Sequence, residues 1–190
     1  MKKLILWFAN CVWWPLWSNI RWSSERKLEA QVEETHLVKN LTEIKNLVKT
    51  LYTNFNWTAD GADQLGDSIC PPAYNYKRWQ ESVLKDDCDG FHSLVYHCLS
   101  ASNIECYLLS VSHLKGGHCV LLFKYNEKWY VNDYTRVHKG FATAAEAIAD
   151  YNTTYIKSYE QGKQKYLYNA IVSFDYKAHK FRTVKLKNLK

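Results

Sequence analysis

A chain of 190 residues, 47% of them hydrophobic, is the length of one ordinary globular domain and can bury a core of its own. With three prolines, seven glycines and no repeat or low-complexity block, it is neither a disordered nor a fibrous protein. The formal charge of +6 comes largely from lysines clustered after Lys157, on segments that alternate like strands; they read as the solvated half of an amphipathic hairpin, so nucleic acid is not the favoured partner.

The first residues, "MKKLILWFANCVWWPLWSNIRW", begin like a signal peptide but end in Trp-Trp-Pro-Leu-Trp with no small-residue cleavage site. Asn10 and Pro15 interrupt an apolar run already too short for a membrane span. Five of the eight tryptophans fall here beside Lys2, Lys3 and Arg21, a composition suited to a membrane interface or a large protein partner. A strand or helix packed on the chain's own domain fits equally well. Residues 1–24 are accordingly set apart as an aromatic-rich segment, with residues 25–190 as the main domain.

From Glu25 a long helix is expected, with Leu37, Leu41, Ile44, Val48, Leu51 and Phe55 alternating steps of four and three along one apolar face. "NWTADGADQLGDSICPP" then reads as loop, punctuated by Asp-Gly, Gly-Asp and Pro-Pro.

"KDDCDGFHSLVYHCLS" follows, and its apolar residues Phe91, Leu94, Val95, Cys98 and Leu99 recur at helical spacing. Asp86 or Asp87 supplies the N-cap, which puts Cys88 in the first turn, where unpaired backbone N–H groups and the helix dipole favour a thiolate. The flanking carboxylates oppose that, so a basic partner is needed before Cys88 becomes reactive.

Three alternating segments succeed the helix: 104–112, 117–126 and 128–136, with Asn126-Glu127 as a tight turn between the last two. If Tyr125 faces Lys128, Val120 lies opposite Asp133 and His118 opposite Thr135. His118 and Asp133 are then diagonal neighbours on one face, roughly 7 Å apart at Cβ and able to hydrogen-bond. A slip of one residue would destroy the pair. Beyond them, Thr143-x-x-Glu146 is a capping box that opens a short helix, and 166–186 closes the chain as a hairpin. The fold class is α+β, with N-terminal helices and a helix packed on an antiparallel sheet.

Six cysteines (11, 70, 88, 98, 106 and 119) include no CxxC, and three of them lie inside apolar-periodic segments. They read as free thiols in a reduced, cytoplasmic setting, with membrane association or a larger assembly left open by the N-terminus.

The order Cys88 at a helix start in Asp87-Cys88-Asp89-Gly90, His118 at a strand start in Gly117-His118, and Asp133 on the next strand in Asn132-Asp133 resembles the transglutaminase-like superfamily. That superfamily includes cysteine proteases and amidases as well as transglutaminases. The similarity covers roughly residues 79–137, and "SNIECYLL" and "EKWYVNDY" fit it further. The resemblance implies a papain-like Cys-His-Asp triad of Cys88, His118 and Asp133 acting on amide bonds of a protein or peptide substrate, without a cofactor. Gln80, with Tyr76 and Trp79 behind it, is the candidate oxyanion donor. Hydrolysis is favoured over crosslinking because a chain this small leaves little room for an amine site, and a catalytically inactive binding module is the remaining functional class.

Plainer readings stand beside these. Cys88 is alternatively a buried inert cysteine, and His118 a satisfied strand histidine. Zinc would draw on Cys88 with His92, or His113 with His118, yet no second spaced pair completes a set. Asp86, Asp87 and Asp89 form an acidic trio that could attract calcium, although the N-cap role accounts for one of them. His92 and His97 are expected at the surface or behind the site.

Overall fold

A computed structural model describes residues 8–21, 35–58, 68–113, 116–158 and 167–189. A π-helical turn, Phe8–Trp13, runs into α1, Trp14–Arg21. The other helices are α2, Leu41–Thr53; α3, Pro72–Gln80; α4, Cys88–Ala101; and α5, Ala144–Ser158. The strands are β1, Asn56–Trp57; β2, Lys85–Asp86; β3, Cys106–His113; β4, Gly116–Tyr125; β5, Lys128–Asp133; β6, Arg136–Val137; β7, Tyr168–Asp175; and β8, Lys180–Val184. Six of them form one antiparallel sheet in the order β6-β5-β4-β3-β7-β8, while β1 and β2 pair separately in parallel.

The period of two in these strands builds the layers. Leu108, Cys119, Leu121, Phe123, Tyr130 and Val172 face a core shared with α2, α3 and α4, whose Ile44, Val48, Tyr76, Phe91, Leu94 and Val95 are buried. Leu109, Val111, Val120, Leu122, Trp129 and Val131 face the other way, against Ala144, Ala147, Ile148, Tyr151 and Tyr155 of α5. The sheet is thus sandwiched between α4 on one side and α5 on the other. This is the expected mixture of helices with an antiparallel sheet.

The β4–β5 hairpin has the register read from the sequence, with Tyr125 opposite Lys128 and Leu121 opposite Asn132. Asn126 and Glu127 both take positive φ, 47° and 56°, as a type I′ turn requires. The capping box also forms: Glu146 N donates to Thr143 Oγ1, and Thr143 N to Glu146 Oε2.

Two expectations are corrected. The helix expected from Glu25 begins only at Leu41, because Asn40 is an N-cap (φ −151°) whose side chain accepts from Glu43 N at 2.9 Å. Glu43 Oε2 in turn accepts from Lys39 N at 2.7 Å, so the Asn40 and Glu43 side chains together fix the start of α2. Residues 25–34 lie outside the described residues, Leu37 is 64% exposed, and Phe55 falls beyond the C-terminal end. The second correction is α3, which begins at the Pro-Pro pair read as a breaker. Proline suits the first turn of a helix, where its missing N–H has no partner to lose.

The N-terminal helix lies against the outer strand β8. Asn19 Nδ2 donates to Phe181 O at 3.0 Å and Phe181 N donates to Asn19 Oδ1 at 2.8 Å, so one side chain pairs with the edge strand as a further strand would. Ser18, fully buried, accepts from Ile69 N at 2.8 Å. The opposite face leaves Phe8, Trp13, Leu16 and Ile20 exposed. No described helix is long and apolar enough to cross a membrane.

Asn19→Ala removes both bonds to a partly buried strand edge and should lower stability by about 1–3 kcal/mol. Urea unfolding followed by circular dichroism checks this, and deletion of residues 1–24 should cost more.

Candidate active site

Asp87 is the N-cap of α4, and its side chain accepts from Asp89 N at 3.2 Å. That fixes Cys88 as the first residue of the helix, half-buried, in the field of the helix N-terminus. Its Sγ accepts a hydrogen bond from the backbone N–H of Cys119 at 3.3 Å. The sulphur therefore sits at the start of β4, one residue from His118.

His118 Nε2 and Asp133 Oδ1 are 2.8 Å apart, the diagonal pair of the β4–β5 hairpin. Burial opposes ionisation of Asp133, but the His118 hydrogen bond, the positive charges that His118 and His92 can carry and the Tyr151 hydroxyl outweigh it and hold the carboxyl below its usual range. Tyr151 donates to Asp133 Oδ2 at 2.9 Å, so both carboxylate oxygens are engaged. Tyr155, one turn further along α5, stacks on the His118 ring with centroids 6.1 Å apart and planes 11° from parallel. Tyr134 closes the ring's surroundings at 5.6 Å, and its hydroxyl accepts from Trp57 Nε1 at 3.1 Å.

The acidic residues around Cys88 are held in place individually. Asp86 Oδ1 accepts from Asp87 N at 3.0 Å, and Asp86 Oδ2 lies 4.0 Å from Arg78. The Asp86 carboxyl rests against Gly90, where an added Cβ would come within 2.1 Å of Asp86 Cγ, so the first turn of α4 has room only for glycine there. Oxygens of Asp86, Asp87 and Asp89 lie within 4.8 Å of one another, an all-oxygen group of the kind that suits a hard cation such as calcium. No described group of three combines cysteine and histidine at metal-binding distances.

Of the residues singled out from the sequence, His118 and Asp133 are in direct contact, and the Cys88 sulphur bonds the backbone N–H of Cys119, the neighbour of His118. Gln80 ends α3 in an exposed position, while Trp79 beside it turns inward and donates to Leu51 O at 3.0 Å. His92 and His97 are corrected from any surface position: they are 0% and 8% exposed. The reason is the all-round burial of α4, whose upper face is covered by α2, α3 and the sheet. Tyr151, Tyr155 and Tyr134 were missed. An i, i+4 tyrosine pair following a capping box marks one face of a helix, but only the sheet crossing shows that this face meets the His118–Asp133 pair.

No family model matches the chain, and no curated protein matches it. Solved structures similar to it include a candidate cysteine protease from Cytophaga hutchinsonii, at 15% identity and a TM-score of 0.39 over 72% of this chain and 43% of that one. Another is EGTA-treated LapG from Legionella pneumophila, at 16% identity and a TM-score of 0.41 over 73% of this chain and 78% of that one. The chain spans less than half the length of the first. Both likenesses are distant.

Burial lowers the pKa of His92 from 6.5 to about 4, with repulsion from His118 adding to it, and burial alone does the same to His97. Both bind fewer protons folded than unfolded, so their contribution is complete above pH 6.5 and is lost as pH falls toward 4, at about 1.4 kcal/mol per pH unit for each. Urea midpoints should therefore fall steeply between pH 6.5 and 4, and His97→Gln should flatten that slope relative to wild type.

Proposed function

We propose that the protein is a cysteine peptidase or amidase in which Cys88 attacks an amide carbonyl, His118 carries the proton and Asp133 orients His118. The observation that carries this reading is the 2.8 Å His118–Asp133 contact at the strand start whose next N–H donates to the Cys88 sulphur. A carboxylate on Nε2 fixes the ring and the tautomer, so Nδ1 is the atom that takes the thiol proton.

In this reading the helix N-terminus and the Cys119 N–H favour the thiolate, Asp86, Asp87 and Asp89 disfavour it, and an imidazolium at contact distance decides the balance. The thiolate adds to the amide carbon, and the oxyanion is held by the Cys88 backbone N–H and, as the proposed second donor, Gln80. Collapse breaks the C–N bond, His118 returns its proton to the departing amine, and a thioester remains on Cys88. Water, deprotonated by His118, then releases the acid and restores the thiol. Water rather than a lysine amine is the proposed acceptor, and a protein or peptide is the proposed substrate class.

Cys88→Ala should abolish turnover of a peptide substrate and leave the thermal unfolding curve close to wild type. His118→Ala should remove most iodoacetamide reactivity at pH 6, where an unassisted thiol with a pKa of about 8.5 is almost wholly protonated. Asp133→Asn should cost about tenfold to a thousandfold in rate, since it disturbs the orientation and charge of the base without removing it. Alkylation rates across pH for these variants check all three; unchanged reactivity in His118→Ala would remove the triad.

A further inference from the structure

His92 lies wholly buried one turn after Cys88, on the side of α4 that faces the triad. Its Nδ1 is 2.6 Å from the Cys88 carbonyl oxygen, and its Nε2 receives the backbone N–H of Tyr134 at 3.1 Å. A carbonyl only accepts and a backbone N–H only donates, so the two partners dictate a neutral imidazole with its proton on Nδ1. One ring thus joins the backbone of the nucleophile to the residue that follows Asp133.

The far end of this link is an unusual piece of chain. Tyr134 has φ of 46°, a left-handed conformation that a bulky residue adopts only when its surroundings impose it. Asn132, also fully buried, holds the same turn from the strand side by donating to Tyr134 O at 2.6 Å. The turn joins Asp133 to Arg136, its partner across the β5–β6 pairing, and the His92 ring centroid is 6.1 Å from that of His118 and 5.3 Å from that of Tyr134. A charged ring at this place would repel the imidazolium that the mechanism needs; a neutral one does not.

We propose that His92 is a positioning residue for the Cys88, His118 and Asp133 chemistry, a neutral Nδ1–H imidazole that locks the first turn of α4 to the β5–β6 turn and so fixes the sulphur relative to its base. The inference rests on the triad reading above. It assigns His92 no contact with substrate. It also gives a physical reason for a histidine at this buried position, since an apolar side chain would leave the Tyr134 N–H without this acceptor.

The test is the rate of iodoacetamide alkylation of Cys88 across pH, with thermal unfolding measured on the same samples, for wild type, His92→Ala, His92→Asn and His97→Ala. His97 is the control because it is a second buried histidine on α4, bonded to Thr35 and Tyr176 instead of to the site. His92→Ala should slow alkylation at pH 6 by about tenfold to a hundredfold and move the midpoint of the profile upward, as a small misplacement of reacting groups does. His92→Asn, whose amide N–H can still reach the Cys88 carbonyl, should recover part of that loss. His97→Ala should lower the unfolding temperature without moving the profile. If His92→Ala and His97→Ala change the profile equally, or neither changes it, His92 is structural and the inference fails while the triad stands. An ordinary free-thiol profile in wild type would overturn the triad reading and this inference together.

Discussion

The arrangement of the site depends on one hydrogen bond, between His118 and Asp133, and that bond depends on the register of a single hairpin. The turn at Asn126 and Glu127 costs backbone strain at two residues with positive φ, and in exchange it fixes a pairing in which His118 and Asp133 fall on the same face. Neither residue belongs to a regular ladder pair with the other, so the contact exists only because the strands twist and end together. Shifting β5 by a residue would turn Asp133 toward α4 and leave His118 facing α5, while reversing every buried side chain of β5.

Both faces of the sheet contribute to that centre, which is why a domain of two cores is needed to support three side chains. From one side α4 brings Cys88, its thiol held against the Cys119 N–H. From the other, α5 brings Tyr151 to the second carboxylate oxygen and Tyr155 onto the imidazole ring. The electrostatics are divided in the same way. The acidic first turn of α4 works against a thiolate, and burial works against an ionised Asp133, yet the partners supplied from the sheet and α5 reverse the second effect. A fold that buried these residues without such partners would favour their neutral forms.

Much of this was legible in the sequence where the period of two or of 3.6 is strong. The β4–β5 register followed from alternation and a two-residue turn, the N-cap of α4 from the Asp86-Asp87 pair, of which Asp87 takes the role, and the start of α5 from Thr143 and Glu146. The apolar spacing of α2 runs on through Leu37, outside the helix, and the weaker signal, Asn40 with Glu43, decides the boundary. The helix at Pro72 was hidden because Pro-Pro marks both turns and helix starts. The sequence leaves His92 open between the surface, a place behind the site and a metal ligand, and it does not mark the tyrosines of α5, because their contacts join elements far apart in the chain and no local pattern carries them. Their distances appear only once α4, the sheet and α5 are assembled.

The central claim is that Cys88 is ionised by His118 near neutral pH, and the most direct measurement of it is the ultraviolet absorbance of the thiolate, titrated as the difference between wild type and Cys88→Ala. The account predicts a thiolate signal with a midpoint well below the roughly 8.5 of a free thiol, retained at pH 6 and absent there when the same difference is taken in a His118→Ala background. A single transition near 8.5 that is the same with and without His118 would contradict it.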